Sequence, residues 1–116
     1  MKTATLTGAA LDWAVAIAEG HKDATIHGGV VRTSMRGIFG PVVNYSTDWA
    51  QGGPIIEREG ICVVTVTDEA TAWDAYFDWG MNDDYKRGPT PLIAAMRCYV
   101  ASKLGDDVDV PEGIAP

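Results

Sequence analysis

GPTPLIAAMRCYVASKLG, residues 88–105, decides how the rest of the chain must pack. Thr90 stands where a helix N-cap belongs, Pro91 takes the first helical position, and Gly105 follows the last turn. A proline at that first position loses nothing, because its missing N–H would have no partner there. Leu92, Ile93, Met96, Tyr99, Val100 and Leu104 recur at helical spacing and predict one broad apolar stripe. Arg97 falls beside the stripe, next to Ile93 and Val100, and Lys103 suits the negative end of the helix dipole. Such a helix needs another layer on which to bury its stripe.

That layer is sought upstream. ICVVTVT, residues 61–67, is rich in β-branched residues and bounded by Gly60 and an expected turn at Asp68-Glu69, so it predicts a strand. TAWDAYFDW, residues 71–79, puts Trp73, Ala75 and Phe77 on one face and Asp74, Tyr76 and Asp78 on the other, as a paired strand would. The two make a plausible hairpin, and residues 80–88 then read as a polar loop. Residues 24–31 read as a weak strand or a hairpin turning at Gly28-Gly29, and 32–44 as a long loop with Gly37, Gly40 and Pro41. Near the start, Thr7 can cap a helix with Gly8 to Glu19 as its body and Gly20 as its stop; Leu6, Ala10, Trp13, Ala14 and Ile17 form its stripe. YSTDWAQGGPIIEREG, residues 45–60, is the awkward stretch: Ser46 or Thr47 can cap it, and Gly52, Gly53 and Pro54 interrupt it. Two readings stay open, a break with a new helix starting at Pro54 or one helix kinked there, ended in both by Gly60. The sum is a single α+β domain over residues 1–105, about three helices on a small, mainly antiparallel sheet, followed by an acidic, Pro-containing tail, 106–116, expected to fray.

Composition narrows function by exclusion. With 116 residues, 47% of them hydrophobic, the chain can build one core. Its net charge of −7, from 16 acidic and 9 basic residues, argues against nucleic-acid binding, which relies on neutralising phosphates. No apolar run approaches the roughly 18 residues of a membrane span. The apolar N-terminal stretch is interrupted by Asp12, so it reads as an amphipathic helix rather than a signal peptide, and the expected location is the cytoplasm. Cys62 and Cys98 sit in apolar company and are expected as reduced, buried thiols; with no CxxC or HxxxH pair, no metal site is expected. No Walker-type loop is present, and no nucleophile stands at a recognisable spacing from a base. The chain is therefore expected not to be an enzyme and to carry no cofactor.

Three blocks, LTGAALDWAVAIAEG, STDWAQGGPIIEREGI and GPTPLIAAMRCYVASKLGD, occur in an order and spacing that resembles the NinX-like family of small phage and prophage proteins. They cover a little under half of the chain. One departure is visible: the chain reads NYSTDW, with Tyr45 where the family pattern has proline in SPSTDW. The resemblance implies a phage origin and a non-essential accessory gene, so the cytoplasm expected above would be that of the host bacterium. It implies no particular activity.

By analogy with small phage proteins that sequester nucleotide signals of host defence, the polar blocks suggest a ligand site. Tyr45 and Trp49 offer stacking faces, Gly52 and Gly53 allow close backbone approach, and Thr47, Asp48 and Gln51 can hydrogen-bond base edges and hydroxyls. Arg97, or Arg32 with Arg36, can supply charge for phosphate, and the helix start at Thr90 an anion site. The bland alternatives are a core tryptophan, two plain caps and a helix kink. The alternative function is a modulator of a host or phage protein, anchored by Tyr76, Trp79 and Tyr85. A short chain with four tryptophans and Ala-rich helix faces is also expected to form homo-oligomers.

Overall fold

The fold is taken from a computed structural model, which describes residues 1–35, 38–66, 72–78 and 85–111, those at 34, 35, 38 and 39 by backbone alone. Its long elements, in chain order, are helix α1 (Gly8–Ala18), strands β1 (Thr25–His27), β2 (Val30–Met35) and β3 (Ile38–Val42), helix α2 (Trp49–Glu59), strands β4 (Ile61–Thr65), β5 (Trp73–Phe77) and β6 (Lys86–Gly88), and helix α3 (Pro91–Leu104). A short 3-10 turn, Thr3–Thr5, precedes α1.

The α3 helix forms as its caps dictate. The Thr90 hydroxyl accepts from the Ile93 N–H, Pro91 sits in the first turn, and Gly105 closes the end. Its burial exceeds the expected stripe: Leu92 and every residue from Ala94 to Val100, Arg97 included, are buried. A helix covered on all sides is a central element rather than a surface one. It packs on β4, β5 and β6 and meets α1, α2 and the N-terminal turn. The approach to β6 is close enough that a β-carbon at Gly88 would stand 2.7 Å from the Ala94 nitrogen.

The strands form two antiparallel three-stranded sheets, β1-β2-β3 and β4-β5-β6, instead of one. The β4–β5 pairing is the expected hairpin, with Val63 opposite Ala75; Ala75 is buried, and Trp73 and Phe77 pack against the core. Gly28 and Gly29, both at positive φ, turn the β1–β2 hairpin. Two loop expectations are corrected. Residues 32–44 contain most of β2 and all of β3, and 86–88 pair with β5 as β6. Cross-strand hydrogen bonding overrides weak local propensity in both. The expected turn at 68–69, and Trp79, lie outside the described residues.

The α2 helix resolves the Gly-Gly-Pro ambiguity: it runs unbroken from Trp49 to Glu59, with Gly60 left-handed at its end. Pro54 cannot donate to the Ala50 carbonyl, but both residues are exposed, so water can take the acceptor. The N-cap is Asp48, not Ser46 or Thr47. The C-terminal segment is tied down where fraying was expected. Thr3 N–H donates to Asp106, Val108 N–H to Met1 and the Met1 ammonium to Val108, whose side chain is buried. Residues 112–116 lie outside the description.

Candidate functional site

Tyr45, Thr47, Asp48, Trp49, Gln51, Gly52 and Gly53 lie where the chain turns from β3 into α2. The turn is clamped from two sides. From within, the Asp48 carboxylate accepts from Ala50 N–H at 2.9 Å, and its other oxygen accepts from Gln51 Nε2 at 3.3 Å. Gln51 Oε1 accepts from Asn44 N–H at 2.7 Å, closing the loop onto the helix. From α1, Asp12 Oδ1 accepts from Ser46 N–H at 2.8 Å. Asp12, the acidic residue that interrupts the apolar N-terminal stretch, is buried, and burial pushes its carboxyl up from the ordinary range, partly offset by Ser46. The Ser46 hydroxyl is buried without a well-formed hydrogen bond, although it lies near enough to that carboxyl to lower its pKa.

This frame presents Trp49. Trp49 is 54% exposed, whereas Trp13 and Trp73 pack against the core. It lies across Gly53, where a β-carbon would stand 3.8 Å from Trp49 Cε3, an ordinary contact. Thr47 is exposed beside it, and Asp48 is half-buried. Tyr45 is buried, and its hydroxyl is pushed up first by burial and then by the charges of Glu19 and Asp12, so it serves the core rather than a stacking face. Gly52 is also spoken for: a β-carbon there would stand 2.5 Å from the Tyr45 carbonyl and 2.6 Å from Leu92 Cδ1. That contact brings the first turn of α3 against α2, with Thr90 at its exposed start. Arg97 does not join the cluster. It is 8% exposed, its Nε donates to the Leu6 carbonyl at 2.9 Å and an Nη to the Arg87 carbonyl at 2.7 Å. Arg32 is exposed and reaches the Gly40 carbonyl at 3.5 Å; Arg36 lies outside the described residues.

A second feature lies on the face of the β4-β5-β6 sheet opposite α3. Val64, Asp74, Tyr76 and Tyr85 line an open groove of about 300 Å³. Arg87 pairs with Asp74 at 2.9 Å and lies 6.0 Å from the Tyr85 ring centre. Cys98 is buried, but Cys62, on this outer face opposite Tyr76, is only half-buried; neither is in a disulfide. Sequence reasoning missed Asp12, Ser46 and Asn44 as the clamp. The one available signal was an aspartate within an otherwise apolar helix face. Among the described residues no three His, Cys, Asp or Glu side chains gather as metal ligands, and no helix is long and apolar enough to cross a membrane.

A search of curated proteins found no match. The family model described as Bacteriophage P22, NinX matches residues 2–103, which takes in α1, α2, the described strands, the Trp49 turn and all of α3 but its last residue. The chain therefore belongs to the bacteriophage P22 NinX family.

Proposed function

We propose that this phage protein is a non-catalytic binding protein whose recognition element is the start of α2, and that it holds a small molecule with a planar nucleobase. One observation carries the reading: a tryptophan left 54% exposed on a capped, doubly clamped turn. Exposing so large an apolar ring costs burial energy that Trp13 and Trp73 recover. A stacking partner would recover it, with Thr47 and Asp48 beside the ring as hydrogen-bonding groups. Arg97 is not the phosphate ligand in this reading, because its donors already serve two backbone carbonyls. Sequestration of a nucleotide signal of host defence would be the corresponding role in the bacterial cytoplasm.

The test is a thermal-shift and tryptophan-fluorescence screen against mononucleotides, cyclic mono- and dinucleotides and cyclic ADP-ribose isomers. A ligand at about a hundred times its Kd adds roughly 2.7 kcal/mol to the folded state, a rise on the order of 10 °C for a domain of this size. Trp49→Ala should leave the unliganded Tm within about 2 °C, as exposed substitutions do. It should weaken binding on the order of tenfold or more, the worth of one base–aromatic stack. A flat screen, or a hit that survives Trp49→Ala, sinks the reading.

The groove of Val64, Asp74, Tyr76 and Tyr85 favours a second reading, a modulator that docks a host or phage protein through its aromatic side chains. It predicts that Tyr85→Ala, and not Trp49→Ala, abolishes capture of the partner.

A further inference from the structure

We propose that β4 is the pairing edge of a symmetric dimer, its occupant a second copy of this chain. Among the described residues the two sheets have four edge strands, β1, β3, β4 and β6. Three carry the features that natural sheets use to blunt an edge. Strands β1 and β6 are only three residues long, and β6 is basic at Lys86 and Arg87. Strand β3 contains Gly40 and Pro41, and the register of its pairing with β2 shifts between Arg32 and Ser34. Strand β4, ICVVT, has none of these: it is five residues of apolar or β-branched chain with no charge, no proline and an unbroken register.

The hydrogen bonds show which groups it leaves over. Asp78 N–H donates to the Gly60 carbonyl and Val66 N–H to the Ala72 carbonyl, one at each end of the β4–β5 ladder. In an antiparallel pair alternate residues bond across, so Cys62 and Val64 face β5. Ile61, Val63 and Thr65 therefore turn their N–H and C=O groups away from it. No described strand takes them; α3 covers the inner face, and α2 leads into the strand through Gly60 and touches it.

A second β4 fits this edge without conflict. A two-fold axis at Val63 pairs Val63 with its own copy and Ile61 with Thr65, all with outward-facing backbone groups. Cys62 then faces Val64 of the other copy as a non-hydrogen-bonded pair, on the outer face where Val64 is exposed. No like charges meet, and because the patch pairs with itself the assembly closes at two. The result is one six-stranded sheet whose two outer grooves lie on a common face. The β4 edge and the Trp49 turn share no residue.

Sedimentation velocity on the full chain, from micromolar to near-millimolar concentration, should give twice the chain mass; a monomer throughout overturns the proposal. Thr65→Pro removes an outward donor at an exposed position without touching the β4–β5 ladder. It should yield a monomer with unchanged far-ultraviolet dichroism, and a dimer that persists overturns the edge assignment. Should that variant fail to fold, Val64→Cys decides the matter. Non-hydrogen-bonded partners lie about 4.5 Å apart between Cα atoms, within disulfide reach. Mild oxidation should therefore give a covalent dimer through Cys62 of the other copy. Its absence, with Cys62→Ser as the control, counts against the pairing.

Discussion

Two carboxylates, the buried Asp12 and the half-buried Glu19, lie on or just beyond one helix and respond to acid in opposite senses. Burial raises the Asp12 carboxyl, and the Ser46 N–H and the hydroxyl beside it only partly offset it. Burial would raise Glu19 as well, but it accepts from Arg58 at 2.6 Å and from the Tyr99 hydroxyl at 2.5 Å, and the net shift is downward. The signs follow by linkage. A raised carboxyl binds its proton more tightly folded than unfolded, so its contribution is full below the unfolded value of 3.8 and is lost as pH rises through the folded one. A lowered carboxyl contributes above 4.5 and loses that contribution as pH falls through its folded value. Asp12→Asn keeps an acceptor for Ser46 N–H and removes the buried charge. Its stability relative to the native chain should be greatest at neutral pH and converge on acidification below 4. Glu19→Gln should be the less stable protein at neutral pH, and its deficit should also close in acid. Urea unfolding from pH 3 to pH 8 reads both differences; a Glu19→Gln deficit that grows in acid refutes the assignment.

At the scale of the element, α2 shows why adjacent glycines need not be equivalent. Gly52 faces inward, where the Tyr45 carbonyl and Leu92 leave no room for a β-carbon, while Gly53 lies under the Trp49 ring with ordinary contact distance. Gly53→Ala should therefore stabilise the helix by up to about 1 kcal/mol through lost unfolded-state freedom. Gly52→Ala should cost about 1–3 kcal/mol, because either α2 or α3 must shift. Paired thermal melts decide it, and similar Tm values for the two variants would refute the packing. The same element marks how far the sequence could be read. The end at Gly60, the caps of α3 and the β4–β5 hairpin were legible, because each rests on local chemistry: a left-handed glycine, a Thr-Pro start, β-branched runs. The continuity of α2 was not, because it depends on Pro54 and Ala50 both facing water, which is a matter of placement. Strands β3 and β6 were hidden for a related reason: their glycine, proline and charge belong to edges, and an edge is defined only by its neighbours. Among the candidate residues, Asp48 and Thr90 were recognisable as polar residues at helix starts. The exposure of Trp49 and the burial of Arg97 were not, since an aromatic or an arginine at helical spacing can fall on either side of a core boundary.

Over the whole molecule, Arg97 is the residue that joins distant parts. It sits on α3, donates to Leu6 ahead of α1 and to Arg87 in β6, and does so from a site whose dehydration lowers the pKa of its guanidinium. The Leu6 bond links positions that are 91 residues apart. Nearby, Thr3 and Met1 join the segment after α3, so the N-terminal turn is held from two directions. Two accounts of Arg97 make different predictions. If it were a phosphate ligand, removing it would lower affinity and leave the unliganded fold unchanged. As an internal tie, its removal leaves two acceptors in or near the core without donors, at roughly 1–3 kcal/mol each where no water reaches them. Arg97→Met, which keeps much of the aliphatic bulk, should then lower the unliganded Tm by on the order of 10 °C. Arg97→Lys should recover only part of this, because one ammonium cannot span the two directions a guanidinium covers. A differential scanning melt without any ligand separates the accounts: a native-like Tm for Arg97→Met would return the residue to the binding site, and a large fall places it in the frame that holds α3 between β6 and the N-terminal turn.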